Sequence, residues 1–365
     1  MTSLYINGVS APAEIKAALQ NLSKSIHFTK EDAKAANGYV FFGVNKITNK
    51  SVAVKFYYWG GKAEFHAEPN QLASIESEFV LSIQDAGLID GTWAYFQTAA
   101  CTNGDLDDIL EQTSIGNLEA IDFTYQILDG ISHLHAKRFL HRDLKPSNIY
   151  VTEHYKAVIG DFGSVKRLPE GRSVIPASSH SLLYRPPETI SGNVYGITGD
   201  IYQAGMMLYQ LLGGYLPYDG MAWLSKKELL QFQALGTPAD GDAFVDQCIK
   251  GRICSGRLLD FSALPPWVPN SVIKIIKKAC HLDSAKRFQT ASSFMAKLHE
   301  VRPDVLDWKI EGGCPVLRGT PSYRIVEDGD HLRVHKSSGT TTWRNDNSFT
   351  STELSELVGE ISAKA

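Results

Sequence analysis

Long runs of lysine and arginine are missing from this 365-residue chain, and its formal net charge is only −4. Neither nucleic acid nor an acidic membrane surface is therefore expected as its main partner. No apolar stretch approaches the roughly 20 residues that a membrane-spanning helix needs, and Met1-Thr2-Ser3-Leu4-Tyr5 lacks the basic start of a secretory leader. These absences predict a soluble, cytoplasmic protein with no membrane insertion. Cysteine is sparse too: Cys101, Cys248, Cys254, Cys280 and Cys314 are odd in number, widely spaced and free of C-x-x-C pairs. That pattern argues against a disulfide framework or a zinc site and predicts reduced thiols. No internal repeat is visible.

What the chain does have is apolar content, 43%, enough to bury one large two-lobed domain and leave material for a small appendage. Pro12 followed by Ile15, Leu19 and Leu22 predicts a short amphipathic helix that braces the amino terminus. Strand-like runs at Gly38 to Val44, Ser51 to Tyr58 and Thr92 to Thr98 surround one predicted helix from Asn70 to Gln84. Beyond Gly104 the periodicity turns helical, with Leu118, Ile121, Tyr125, Leu128, Ser132 and His135 on one face and Ile201, Gly205, Leu208 and Leu212 on another. Further helices are predicted from Ser271 to Cys280 and from Thr290 to Glu300. In the tail, Tyr323 to Val326, the turn Asp328-Gly329, Leu332 to Val334 and Thr340 to Trp343 read as a three-stranded meander. Thr350 with Glu353 signals a capping box for a closing helix through Ile361.

The chemistry is concentrated in His141-Arg142-Asp143-Leu144-Lys145-Pro146-Ser147-Asn148, followed by Asp161-Phe162-Gly163. A proton acceptor, a charge-stabilising lysine and two Mg²⁺ ligands in one stretch are what phosphoryl transfer to a hydroxyl requires. The chain thus resembles the eukaryotic-type Ser/Thr protein kinase family, in which Asp-x-Lys-x-x-Asn is the form typical of Ser/Thr enzymes. The resemblance implies an α+β, bilobal fold: a small β-rich N-lobe with one main helix over a larger, mainly α C-lobe. The expected divisions are an extension at 1–25, the N-lobe at 26–100, the C-lobe at 101–303 and a small β-meander and helix appendage at 304–365.

The same resemblance implies roles, residue by residue. Asp143 would accept or orient the substrate hydroxyl, Lys145 would neutralise the γ-phosphate, and Asn148 and Asp161 would hold Mg²⁺. Lys55, in Val52-Ala53-Val54-Lys55, would bind the α- and β-phosphates of ATP and pair with a glutamate of the N-lobe helix. Glu78 is preferred for that pair over Glu76, because Glu78 begins an E-x-x-L arrangement. Gly38 and Val40 match the last glycine and the valine of the phosphate-covering loop, whereas Ala33 and Ala35 stand where its first two glycines belong. Alanine disfavours the required backbone by about 1 kcal/mol. Ala53, Thr98, Ala99 and Cys101 would line the adenine pocket, with Thr98 as gatekeeper. Asp105 would either bind ribose or cap the helix after it.

Between Asp161 and Glu188 lies a segment of activation type that ends in Tyr184-Arg185-Pro186-Pro187-Glu188. Ser181 matches the position that contacts the catalytic Asp and Lys, and Ser173, Ser178 and Ser179 are candidate phosphorylation sites that Arg142 would read. Asp200 and Arg287 match the residues that brace the catalytic loop and close onto Glu188. Small-molecule phosphotransferases of related fold generally lack this closure, so the expected partners are protein substrates with Ser/Thr acceptors. The alternative is a pseudokinase scaffold with a degenerate Gly-rich loop. The tail belongs to no recognised family and reads as either a docking module or a cap with Trp308, Tyr323 and Trp343 buried against the large lobe.

Overall fold

The computed structural model describes residues 4–32, 38–177, 181–339 and 342–365. Ala33 and Ala35, and with them the glycine-poor part of the phosphate loop, lie outside the described residues, as do Ser178, Ser179 and Thr340. Helix α1 (Ala13–Leu22) follows Pro12, which sits at its N-cap. Ile15 and Leu19, one turn apart, are fully buried and pack on the outer face of a sheet, as the brace reading expects.

That sheet comprises β1 (Ile26–Glu31), β2 (Tyr39–Asn45) and β3 (Ser51–Tyr58), then, after helix α2 (Ala67–Ala73), β4 (Ile83–Leu88) and β5 (Trp93–Ala99). Its order is β1-β2-β3-β5-β4, antiparallel throughout. The two-residue period of β3 divides the labour. Val52, Val54 and Phe56 point into the α1 core, and Ala53, Lys55 and Tyr57 occupy the other face. The register sets Val40 opposite Lys55 and Ala53 opposite Thr98.

The helix expected from Asn70 to Gln84 is shorter and lies earlier. It begins at Ala67 with Pro69 in its first turn, where a missing N–H costs nothing. It ends at Ala73 because the next residues find better partners. Ser77 Oγ accepts from the Phe79 N–H at 3.2 Å, and the Phe79 carbonyl and Leu81 N–H bond Ile159 at 2.9 Å each. Those backbone groups are thereby withdrawn from any helix. Ile83 onward pairs with β5 as a strand.

The large lobe starts with α3 (Leu106–Gln112) and α4 (Asn117–Ala136), then short strands β6 (Phe139–Leu140), β7 (Ile149–Val151), β8 (Ala157–Ile159), β9 (Lys166–Arg167) and β10 (Val174–Pro176). Helix α5 (Pro187–Ser191), β11 (Val194–Gly196), α6 (Ile197–Leu211), α7 (Lys226–Gln233), α8 (Pro238–Cys254), α9 (Asn270–Ala279) and α10 (Ala291–Val301) complete it. Helix α4 packs on α6, α10 and β8 together, so its buried surface is broader than one stripe and includes Phe123, Ile127 and Ile131. Tyr125, which periodicity assigns to the inner face, is 41% exposed. Ile201, Gly205 and Leu208 of α6 and Leu212 at its C-cap are all buried, and the helix is apolar on nearly every side because helices surround it.

The tail forms a five-stranded antiparallel sheet rather than a three-stranded meander: β12 (Trp308–Glu311), β13 (Cys314–Leu317), β14 (Ser322–Asp328), β15 (His331–Ser337) and β16 (Arg344–Asn345). The overlooked hairpin turns on Gly312-Gly313, whose φ values of 56° and 79° suit a two-residue turn of the primed kind. The expected turn at Asp328-Gly329 is present, with Asp328 opposite His331. Helix α11 (Leu354–Lys364) closes the unit without the expected capping box; Glu353 is its N-cap, and Ser351 Oγ accepts from the Glu353 N–H.

Trp308 and Tyr323 are buried with Leu357, Val358 and Ile361 of α11, and Trp308 stacks on Trp267 of the large lobe at 6.0 Å. Lys309 reaches Glu119 of α4 at 2.9 Å. Trp343 departs from the expectation: it is half-buried and lies under the Arg324 guanidinium at 4.7 Å. Among the described residues no helix is long and apolar enough to cross a membrane.

Candidate active site

The loop from β6 to β7 carries Asp143, and its backbone is fixed from beneath by Asp200 in the first turn of α6. The fully buried Asp200 carboxylate accepts from the N–H of His141 at 3.0 Å, the N–H of Arg142 at 2.9 Å and the Tyr195 hydroxyl at 2.7 Å. His135 Nε2 lies 2.8 Å from it. Burial alone would raise the pKa of this carboxyl, but the bond and charge of His135 and the Arg142 N–H hold it below the ordinary carboxylate range. Held this way, Arg142 takes a φ of 73°, a conformation that non-glycine residues rarely adopt. Gln203 Oε1 accepts from the Leu144 N–H at 3.0 Å and secures the next residue.

Asp143 is nearly buried. Its Oδ2 accepts from Asn148 Nδ2 at 3.2 Å and lies 3.3 Å from Lys145 Nζ, whereas its Oδ1 is buried with no partner among the described residues. Such an orphaned acceptor is costly unless a ligand's donor completes it. Lys145 Nζ also donates to Ser181 Oγ at 3.0 Å, so the activation segment meets the catalytic loop at this lysine. Asn148 Nδ2 donates to the Asp143 carbonyl at 2.7 Å, which turns its amide oxygen away as a potential ligand. The Asn148 carbonyl accepts from the Gly160 N–H at 3.0 Å, tying Asp161 to the same loop. Asp161 has a φ of 51° and caps the short turn after it through Gly163. An amide oxygen and a carboxylate are hard donors of the kind Mg²⁺ takes, usually only one or two from the protein; the pair fits that ion.

Lys55 does not pair with Glu78. Its Nζ lies 2.8 Å from both carboxylate oxygens of Glu68, in the first turn of α2. Glu78 is 62% exposed and bridges Lys156 at 2.7 Å; Glu76 is also exposed. The correction follows from the helix boundary, because α2 has ended before either residue. Pro69, a first-turn residue, is the signal in the sequence that places Glu68 at the helix start.

Gly38 has a φ of 129°, and a Cβ there would collide with the Phe56 carbonyl, so only glycine fits. Thr98 is buried and donates to the Ala99 carbonyl at 3.2 Å. The Ala100 N–H bonds the Ser51 carbonyl at 3.1 Å and holds the connection between lobes against β3. Burial pushes the Cys101 thiol up to about 11. Asp105 caps α3, accepting from the Asp108 N–H at 2.9 Å.

One residue escaped the sequence reading. Tyr150 of β7 lies with its ring across Gly160, where a Cβ would strike that ring. Burial, together with the charges of Asp161, Glu68, Cys101 and Asp105, raises its hydroxyl pKa well above the ordinary value. Its backbone pairs with Asp105 in an isolated antiparallel bridge, and its ring covers the glycine that precedes Asp161. The glycine immediately before Asp161 was its only sequence signal.

The activation segment closes on the large lobe through Glu188 and Arg287, bonded at 2.7 Å through both guanidinium nitrogens. Tyr184 bonds Gln210 and, at 3.3 Å, Tyr218, whose hydroxyl donates to Asp107 at 2.6 Å. Arg142 directs its guanidinium to the carbonyls of Ser164 and Pro176, at 3.3 Å each. Ser173 is exposed.

The family model described as "Protein kinase domain" matches residues 34–298. The chain is 35% identical over 137 residues to CBL-interacting serine/threonine-protein kinase 8 of Arabidopsis thaliana, covering 37% of this chain and 31% of that protein. It is 38% identical over 121 residues to the carbon catabolite-derepressing protein kinase of Secale cereale, covering 33% and 24%. To protein-tyrosine kinase 6 of Mus musculus it is 29% identical over 164 residues, covering 43% and 36%. The chain thus spans only 24% to 36% of the length of these relatives. From the matched span and the lobes built around Asp143 and Lys55, the chain belongs to the protein kinase family.

Proposed function

We propose that the chain transfers the γ-phosphoryl group of ATP to serine and threonine hydroxyls of protein substrates, with Mg²⁺ as the required ion. The observation that carries this reading is the orphaned, buried Oδ1 of Asp143 beside the Lys145–Ser181 contact. A substrate hydroxyl at that oxygen would donate to it and be oriented for in-line attack, with its proton accepted as the new P–O bond forms and the bond from the γ-phosphorus to the departing ADP breaks. Lys145 would offset charge on the transferred group, and Lys55, fixed by Glu68, would hold the phosphates behind it. Asn148 and Asp161 would hold Mg²⁺, which when bound supplies charge neutralisation on the phosphates. Val40, Ala53, Thr98, Ala99 and Cys101 would take the base, with Gly38 over the phosphates and Asp105 near the ribose. Serines of the activation segment are candidate acceptors for the protein's own phosphorylation.

A scaffold without catalysis is the competing reading, favoured by Ala33 and Ala35 in the phosphate loop. It leaves Asp143 Oδ1, Lys145 and the Lys55–Glu68 pair without a task. Purified protein is incubated with γ-labelled ATP, Mg²⁺ and a generic basic protein, with Asp143→Ala in parallel, and the product is hydrolysed to phosphoamino acids. Phosphoserine and phosphothreonine from the wild type alone are expected. Equal labelling by both proteins, or none across a range of metals and acceptors, would overturn the reading.

A further inference from the structure

The face of β3 that carries Lys55 also carries Tyr57, and Trp59 follows just beyond the strand. Opposite them stand Glu68 and His66, also two residues apart, at the start of α2. Two bonds therefore run side by side between the same two elements. Lys55 Nζ meets Glu68 at 2.8 Å, and the Tyr57 hydroxyl meets His66 Nδ1 at 2.7 Å. The Trp59 ring stacks on the His66 ring with centroids 5.0 Å apart and planes 27° from parallel.

Helix α2 needs such anchorage. It has seven residues, its N-cap has no side-chain hydrogen bond, and so short a helix is not stable alone in water. At its far end Leu72 is buried and Gln71 donates to the Val165 carbonyl at a long 3.4 Å. At its near end Pro69 is buried, and the Lys55–Glu68 pair supplies one polar attachment for a helix under two turns long. The second bond, one rung along the strand, fixes its direction.

We propose that Tyr57 and His66 are positioning residues that hold the start of α2 against β3, so that Glu68 stays on Lys55. The consequence for phosphate binding rests on the reading of Lys55 under Proposed function; the anchoring of α2 does not. Neither residue touches the reacting atoms. Burial and the nearby Glu68 push the Tyr57 hydroxyl up to about 12, so it remains a neutral hydrogen-bonding group at physiological pH.

Tyr57→Phe removes the hydroxyl and keeps the ring that packs on Phe96. Losing one such bond corresponds to an expected rise of about fivefold in KM for ATP, with kcat changed less. The decisive measurement repeats Tyr57→Phe in a Glu68→Gln background. Positioning through Glu68 predicts that the fivefold effect disappears there, whereas a merely structural role carries the same effect into both backgrounds and overturns the proposal. His66→Asn, whose amide can occupy the place of Nδ1, is expected to retain most function, and His66→Leu to resemble Tyr57→Phe. Equal behaviour of the two His66 variants also overturns it. A readout free of catalysis is amide hydrogen exchange at residues 67–73, expected to quicken in Tyr57→Phe and His66→Leu; unchanged exchange sinks the anchoring claim. Absence of phosphotransfer in the wild type sinks the Proposed function alone.

Discussion

Lys55 and Glu68 form a two-oxygen ion pair, 2.8 Å to each carboxylate oxygen, with both side chains about four-fifths shielded from solvent. A charged hydrogen bond of this kind contributes about 1.5–3 kcal/mol. Glu68→Gln is therefore expected to lower kcat/KM for ATP by about ten- to a hundredfold. Glu78→Gln, which alters only an exposed bridge to Lys156, should stay within about twofold. Steady-state phosphotransfer with both variants separates the two glutamates.

At Asp143 the expected loss is in the chemical step. Asp143→Ala removes the carboxylate to which the proposed function assigns the substrate hydroxyl, and a positioned acceptor of that type is worth about 10²–10⁴ in rate. Nucleotide affinity, read by calorimetric titration with Mg-ATP, should change far less than kcat.

Asp200 makes stability depend on acidity in one direction. Its folded pKa lies below the unfolded value near 3.9, so its contribution is fully present above about pH 4 and is lost as pH falls through the lower, folded pKa. Urea melts between pH 7 and pH 3 should show stability falling at the acid end. Asp200→Asn should be less stable at pH 7, since its amide would face the N–H groups of His141 and Arg142, and its acid slope should be shallower.

Removing Arg287 strands Glu188. Arg287 is buried, bonds both oxygens of Glu188 and also donates to the carbonyls of His281, Thr198 and Leu282. Arg287→Ala should cost about 3–5 kcal/mol in chemical denaturation. Arg287→Lys should recover only part of this, because an ammonium cannot reproduce the planar fork.

Gly160→Ala is expected to displace the Tyr150 ring, since the added Cβ lies where that ring does. Affinity for Mg-ATP should fall by about tenfold, the equivalent of roughly 1.4 kcal/mol. In Gly160→Ala/Tyr150→Leu, where the smaller side chain frees the space, affinity should recover. Thermal shift with nucleotide measures both.

Much of the site was legible because it is consecutive in the chain. Asp143, Lys145 and Asn148 lie within one loop, and Asp161 follows at a distance spanned by one short hairpin, β7 to β8. Lys55 was legible from its Val-Ala-Val-Lys motif and its order after Gly38 and Val40, and Glu188 and Arg287 from motif position. The lysine's partner was not. Choosing between Glu68 and Glu78 requires knowing that α2 stops at Ala73, and it stops there because Ile159, eighty residues downstream by number, takes the backbone groups of Phe79 and Leu81. The β12–β13 hairpin was hidden for a different reason: its strands are four residues each, too short for alternation to register.

By itself, then, the sequence determined the chemistry: which oxygen and nitrogen donors are available, and that they arrive together in one loop. Spacings of two to five residues are held by local backbone geometry in any compact fold, so they survive whatever the rest of the chain does. The tertiary structure decided the pairings that close the site, Lys55 with Glu68, Tyr57 with His66 and Tyr150 across Gly160. Each of these depends on which segments of the same lobe meet once the chain is folded, β3 against the start of α2 and β7 against the end of β8.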